Sequence, residues 1–205
     1  MKQYKVGILL FNEVEVLDFA GPYEVFSITI NPGADDKPFI VNTVSQTGGI
    51  ITARGGLKIL SDYSFNNSPC FDILIVPGGY GAEHIEIHNN ILMHWIKTQA
   101  ENAEIVASVC TGAFLLAQAC LLDNKRAVTH WMDSDRLQRE YNKITVLQGE
   151  KYVDETTVIT SAGISSGIDM CLHIVSKLLN PDAAETAAKR MEYNFNNELI
   201  LNLHK

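Results

Sequence analysis

Five apolar runs rich in β-branched residues recur along the chain: Lys5–Phe11, Phe39–Ser45, Asp72–Val76, Ile105–Val109 and Ala127–Thr129. None alternates strictly between apolar and polar residues. A strand with one wet face alternates, whereas a strand covered on both faces does not. Helical patterns lie between the runs, at about Phe19–Ile30, Ala82–Ala100, Ala113–Leu121 and Met132–Tyr141. Strand and helix in turn predict an α/β fold, a mostly parallel sheet sandwiched by helices. The stretch "EKYVDETTVIT", residues 150–160, breaks the rhythm. Two β-rich halves flank Asp154-Glu155, which reads as a late β-hairpin. A helix over Ser166–Leu179 follows. Another opens where Asn180 stands at a cap position and Pro181 at the first helical position.

The 205 residues suffice for one domain with a substantial core, and a single domain over residues 1–205 is expected. The formal net charge is −8 and no Lys/Arg run occurs, which argues against a nucleic-acid surface. The first apolar run, closed by Glu13 and Glu15, is too short for a secretory signal. No stretch approaches the ~18 apolar residues of a membrane span. The four cysteines, Cys70, Cys110, Cys120 and Cys171, lack metal-type spacing, so a reduced, cytoplasmic protein without a metal is expected. Cys120 and Cys171 sit in apolar helical patterns and are expected to be buried and inert. "NPGADDKP", residues 31–38, reads as a turn-rich loop. The tail from Asn194 to Lys205 carries "ELILNL", apolar enough to dock on its own domain or on a second subunit.

Chemistry concentrates where strands end. In "SVCTGAFLLA" Cys110 stands between a strand and a helix, followed by the small residues Thr111, Gly112 and Ala113. A sharp turn there lifts a side chain clear of the sheet. A helix N-terminus aimed at sulfur lowers a thiol pKa, so a reactive cysteine is expected. In "PGGYG", Gly78 and Gly79 follow another strand and offer backbone N–H groups to a developing anion. It matches neither a P-loop nor a dinucleotide fingerprint. In "EVLDFAGPYEVF", Pro22 is tolerable only in a first helical turn, so the helix is expected to start near Phe19. Asp18 then reads either as its N-cap or as a carboxyl group beside Cys110. His130, in "AVTHW", follows a short strand. A structural role there is commoner than a catalytic one.

These stretches in this order, with the late "SAGISSGIDMCLHIV", resemble the ThiJ/PfpI superfamily, also called the Parkinson-associated deglycase group, from about Lys5 to Tyr193. Within it, "SVCTGAFLLAQACLL", "RAVTHW" and "RMEYN" are most similar to the isocyanide hydratase branch. They also resemble the amidase-like N-terminal domains of some AraC-type transcription regulators. The resemblance implies a flavodoxin-like three-layer sandwich, a homodimer and a small-molecule substrate, with no cofactor, nucleic acid or membrane. It implies Cys110 as nucleophile, Asp18 as its acid partner, and backbone N–H groups near Gly79 and Thr111 around the reacting atoms. Thr111 matches the residue after the nucleophile in the hydratase branch. Protease-like members carry His there, so protease activity is disfavoured. His130 matches a family His but is not carried over as a base. Ile164 matches a helix residue that packs near the nucleophile, a mobile neighbour. The chain departs from the pattern at Ser161-Ala162-Gly163, where more glycines are usual, and in a longer loop from Asn31 to Pro38.

The implied reaction hydrates an isocyanide to an N-substituted formamide through a Cys110 thioimidate, with Asp18 and Cys110 sharing one proton. Three alternatives stay open: a glyoxalase or deglycase-type enzyme on α-oxoaldehydes, a cysteine redox sensor, and a ligand-sensing domain. No helix-turn-helix pattern precedes Lys205.

Overall fold

The computed structural model describes residues 2–31 and 37–195. The expected 31–38 loop, for the most part, and the "ELILNL" tail lie outside the described residues. The elements run β1 (Tyr4–Leu9), α1 (Val16–Ile28), β2 (Phe39–Ser45), β3 (Ile50–Thr52), β4 (Lys58–Leu60), β5 (Tyr63–Ser64) and β6 (Ile73–Val76). Next come α2 (Tyr80–His84), α3 (Asn90–Ala100), β7 (Ile105–Val109), α4 (Gly112–Gln118), β8 (Arg126–Ala127) and α5 (Ser134–Glu140). The remainder is β9 (Thr145–Val146), β10 (Tyr152–Glu155), β11 (Val158–Ser161), α6 (Ser166–Leu178) and α7 (Pro181–Arg190).

The central sheet has the order β10-β11-β7-β6-β1-β2-β5. All its pairs are parallel except the hairpin β10–β11. Every residue of β6 and β7 is buried, which explains why neither alternates. Helices α1, α6 and α7 pack on one another, and α2, α3 and α4 form a second group. The chain leaves β1 toward β2 and β5, then crosses back to β6, β7 and β11 on the other side. That reversal opens a crevice beyond the carboxyl ends of β1 and β6, where ligands settle in such sheets. No helix among the described residues is long and apolar enough to cross a membrane.

Three expectations change, and one pair of strands is new. The pattern over Ala82–Ala100 divides, because Asn89 turns its side-chain oxygen to the N–H groups of Ile91 and Leu92 and starts a new helix. The run Ala127–Thr129 shrinks to β8, which pairs with β9 outside the central sheet. The antiparallel pair β3–β4 had no strong signal: its strands have three residues each, and Ile50 and Leu60 stay exposed. Cys120 is exposed rather than buried; α4 ends at Gln118, and Cys120 sits in a turn with φ 61°. Cys171 is buried as expected.

Candidate active site

Three loops converge at the crevice, those following β1, β6 and β7. Helix α1 begins at Val16, not near Phe19, and Pro22 lies inside it. The helix gives up the bond that a Pro22 N–H would have donated to the Asp18 carbonyl, and continues through it with Gly21, Pro22, Val25 and Phe26 buried. Asp18 is therefore no N-cap. It lies in the first turn with 0% exposure, the N-cap position being Glu15. Its Oδ2 accepts the Gly78 N–H at 3.0 Å, while no N–H or O–H among the described residues reaches Oδ1.

Cys110 has φ 56°, in the left-handed region that a side chain normally avoids. The surrounding bonds hold it there. Its N–H donates to the carbonyls of Ser161 (3.1 Å) and Ala162 (3.0 Å), and its carbonyl accepts the Thr129 hydroxyl at 2.9 Å. This is the strand-to-helix elbow expected at "SVCTG". Gly112 permits it: a Cβ there would collide with the Val76 carbonyl. The thiol is buried but forms part of the floor of an open cleft of about 580 Å³.

The electrostatics differ from the expectation of a depressed thiol. Burial pushes the Cys110 thiol up to about 12, helped by the Asp18 charge, while the N–H groups of Thr111 and Ile164 pull it back. The helix that was to lower it, α4, has only seven residues. Burial likewise lifts the Asp18 carboxyl to about 7, against the pull of the Gly78 N–H; the Glu15 charge raises it and the Cys110 thiol lowers it. Groups that interact this closely titrate as a pair. The first proton leaves near neutrality and the second far above it, so one proton is shared over the range between.

The glycine donors are also redistributed. Gly78 serves Asp18, and the Gly79 N–H donates to the Thr111 hydroxyl at 2.9 Å, so neither is left free for a reacting anion. Gly79 adopts φ 117°, open to glycine alone. The donors near sulfur are instead the Thr111 and Ile164 N–H groups. Ile164 and His130 line the cleft. His130 Nδ1 lies 3.7 Å from Asp133 Oδ2, and its ring occupies the place a Cβ on Gly163 would need. The structure thus brings together Asp18, Gly78, Gly79, Cys110, Thr111, His130 and Ile164.

The cleft walls went unread in the sequence. Glu13 and Glu15 stand in the β1–α1 loop, Arg54 beside the unforeseen β3–β4 pair, and Glu83 and Arg136 on α2 and α5. Arg54 bonds Glu15 at 2.8 Å, and Arg136 bonds Glu83 at 2.6 Å. Only the closeness of "NEVE" to Asp18 hinted at them.

Comparison with known proteins adds three findings to a family match. Residues 4–177 match the model of the DJ-1/PfpI family. The chain is 33% identical over 189 residues to an isonitrile hydratase of Pseudomonas putida, covering 92% of this chain and 78% of that one. It is 30% identical over 143 residues to the HTH-type transcriptional regulator CdhR of Pseudomonas aeruginosa, covering 70% of this chain but 42% of the regulator. The crystal structure of a ThiJ/PfpI family protein from Pseudomonas syringae superposes with a TM-score of 0.85 at 25% identity, covering 96% of this chain and 77% of that one.

Proposed function

The chain belongs to the DJ-1/PfpI family, and from that premise we propose that it is a cysteine-dependent lyase that hydrates an isocyanide to an N-substituted formamide. One observation carries the reading: a fully buried carboxyl with an unpartnered oxygen interacts with a strained cysteine at the floor of an open cleft. The 33% identity to the isonitrile hydratase supports it.

The pair with one proton does two jobs. Cys110 sulfur attacks the terminal isocyanide carbon and forms the S–C bond. Asp18 accepts the thiol proton and passes it to that carbon, giving a thioimidate. Water adds across the thioimidate C=N bond, its hydroxyl to carbon and a proton to nitrogen; the C–S bond then breaks, the hydroxyl proton passes to sulfur, and the formamide leaves. The Thr111 and Ile164 N–H groups steady the negative charge on sulfur before attack and after release. The protein would act as a homodimer; Leu17 and Tyr23, apolar and exposed on α1, support an apolar contact there.

Purified protein should convert p-nitrophenyl isocyanide to the formamide, and Cys110→Ala should abolish the conversion. A Cys110→Ala protein that kept the parent rate would rule out the covalent route. Conversion of methylglyoxal to lactate, without formamide formation, would move the reading to α-oxoaldehyde chemistry.

A further inference from the structure

The walls of the Cys110 cleft carry charges that this chemistry leaves unused. Four carboxylates line it, Glu13, Glu15, Glu83 and Asp133, against two guanidinium groups, Arg54 and Arg136. Arg54 is engaged by Glu15. Arg136 is engaged by Glu83 and by Glu140 at 3.1 Å, with Asp133 at 3.9 Å. Glu13 stands apart: among the described residues, its carboxylate takes part in no hydrogen bond or ion pair.

Glu13 also has φ 62°, a backbone conformation that glycine adopts freely and glutamate does not. The conformation is imposed from both sides. The Glu13 N–H donates to the Thr52 carbonyl at 2.8 Å, and its carbonyl accepts the Gly81 N–H at 3.1 Å. The backbone that carries this carboxylate is therefore fixed at the cleft wall. Charge of one sign tethered to a concave wall concentrates the potential inside it.

We propose that Glu13 makes the cleft select substrates whose substituent carries a positive charge, away from the carbon that Cys110 attacks. The inference deepens the proposed function, since it rests on Cys110 as the nucleophile in this cleft. Anionic substituents are disfavoured by the same excess of carboxylates over guanidinium groups.

The test measures charge preference without needing turnover. In a Cys70→Ser, Cys120→Ser background, which removes the exposed thiols, Cys110 is treated at low salt with three methanethiosulfonates. They carry a trimethylammonium-ethyl, a methyl or a sulfonatoethyl group; each transfers its thioalkyl group to sulfur and releases methanesulfinate. Intact mass gives the rates. The cationic reagent should react faster than the anionic one relative to free cysteine. Glu13→Gln should cut that ratio about tenfold, the order expected for loss of one charge within a cleft of intermediate dielectric. Glu13→Lys should invert it, and 0.5 M salt should compress it. A ratio at or below that of free cysteine, or one unchanged in Glu13→Gln, overturns the inference. Failure to form formamide alongside an intact cation preference would sink the hydratase reading alone. Formamide formation without the preference would sink this inference alone.

Discussion

Two carboxyl groups, the fully buried Asp18 and the half-buried Asp154 on the edge strand β10, are driven in opposite directions by their surroundings. Burial disfavours the charge of both. At Asp154 that effect is outweighed: His173 Nε2 lies at 2.8 Å, Lys177 Nζ at 2.8 and 3.0 Å, and the Thr156 N–H donates at 2.7 Å. The carboxyl falls to about 2 and stays ionised. At Asp18 the only hydrogen bond from an N–H or O–H among the described residues is that of Gly78, no cation among them offsets its burial, and the carboxyl rises to about 7. The satisfied carboxylate fastens α6 to the hairpin β10–β11. The unsatisfied one keeps its proton within reach of neutral pH, and a proton that can be exchanged is what chemistry needs.

That contrast can be broken most sharply at Asp18. Asp18→Asn keeps a carbonyl oxygen for the Gly78 N–H but removes the proton relay. Formamide formation should fall by about 10²–10⁴ in kcat/KM, the usual contribution of positioned proton transfer. The rise of kcat/KM with pH through about 7 should disappear, leaving only a limb at the higher pH of the lone thiol. A variant with the parent rate and pH profile would remove Asp18 from the reaction.

The second effect concerns stability and follows from the same raised carboxyl. Its folded value lies above its unfolded one, so the folded state holds the proton more tightly between about pH 4 and 7. The associated stability is complete below about 4 and is lost as pH rises to 7, by roughly 3–4 kcal/mol at most. Denaturant unfolding of wild type and Asp18→Asn over that range should diverge, with the variant lacking this decline. Parallel curves would show that the two states bind the proton alike.

The smallest effect belongs to the satisfied group. Asp154→Ala leaves the buried His173 ring and Lys177 without their carboxylate and should cost about 1–3 kcal/mol in urea unfolding, with little change in turnover per folded molecule. For Asp154 the sign is reversed: its stabilisation is present above about pH 4 and disappears as pH falls toward 2. A neutral Asp154→Ala would mean that the cluster is ornament rather than fastening.

Much of this was legible in the residues themselves. The runs without alternation gave the buried strands, because a strand covered on both faces has no use for polar residues. The small residues after Cys110 gave the elbow, because anything larger than Gly112 would strike the carbonyl of Val76. What escaped was set by tertiary context. Pro22 reads locally as a helix start, yet packing carries α1 through it. A helix N-terminus suggests an acidic thiol, yet burial of Cys110 overrules seven residues of helix. Gly78 and Gly79 advertise free N–H groups, and only the fold reveals that Asp18 and Thr111 have already claimed them. The charges of the cleft wall come from segments scattered between Glu13 and Arg136, and no local pattern joins them.

Ser161 and Ala162 grip the amide of Cys110 through their carbonyls, and Ile164, two positions further on, aims its own amide at the sulfur. One four-residue bridge between strand and helix therefore governs both the posture of the cysteine and the ease with which it gives up its proton. Evolution, or an engineer, could retune reactivity by editing that bridge, without touching any group that meets the substrate's carbon.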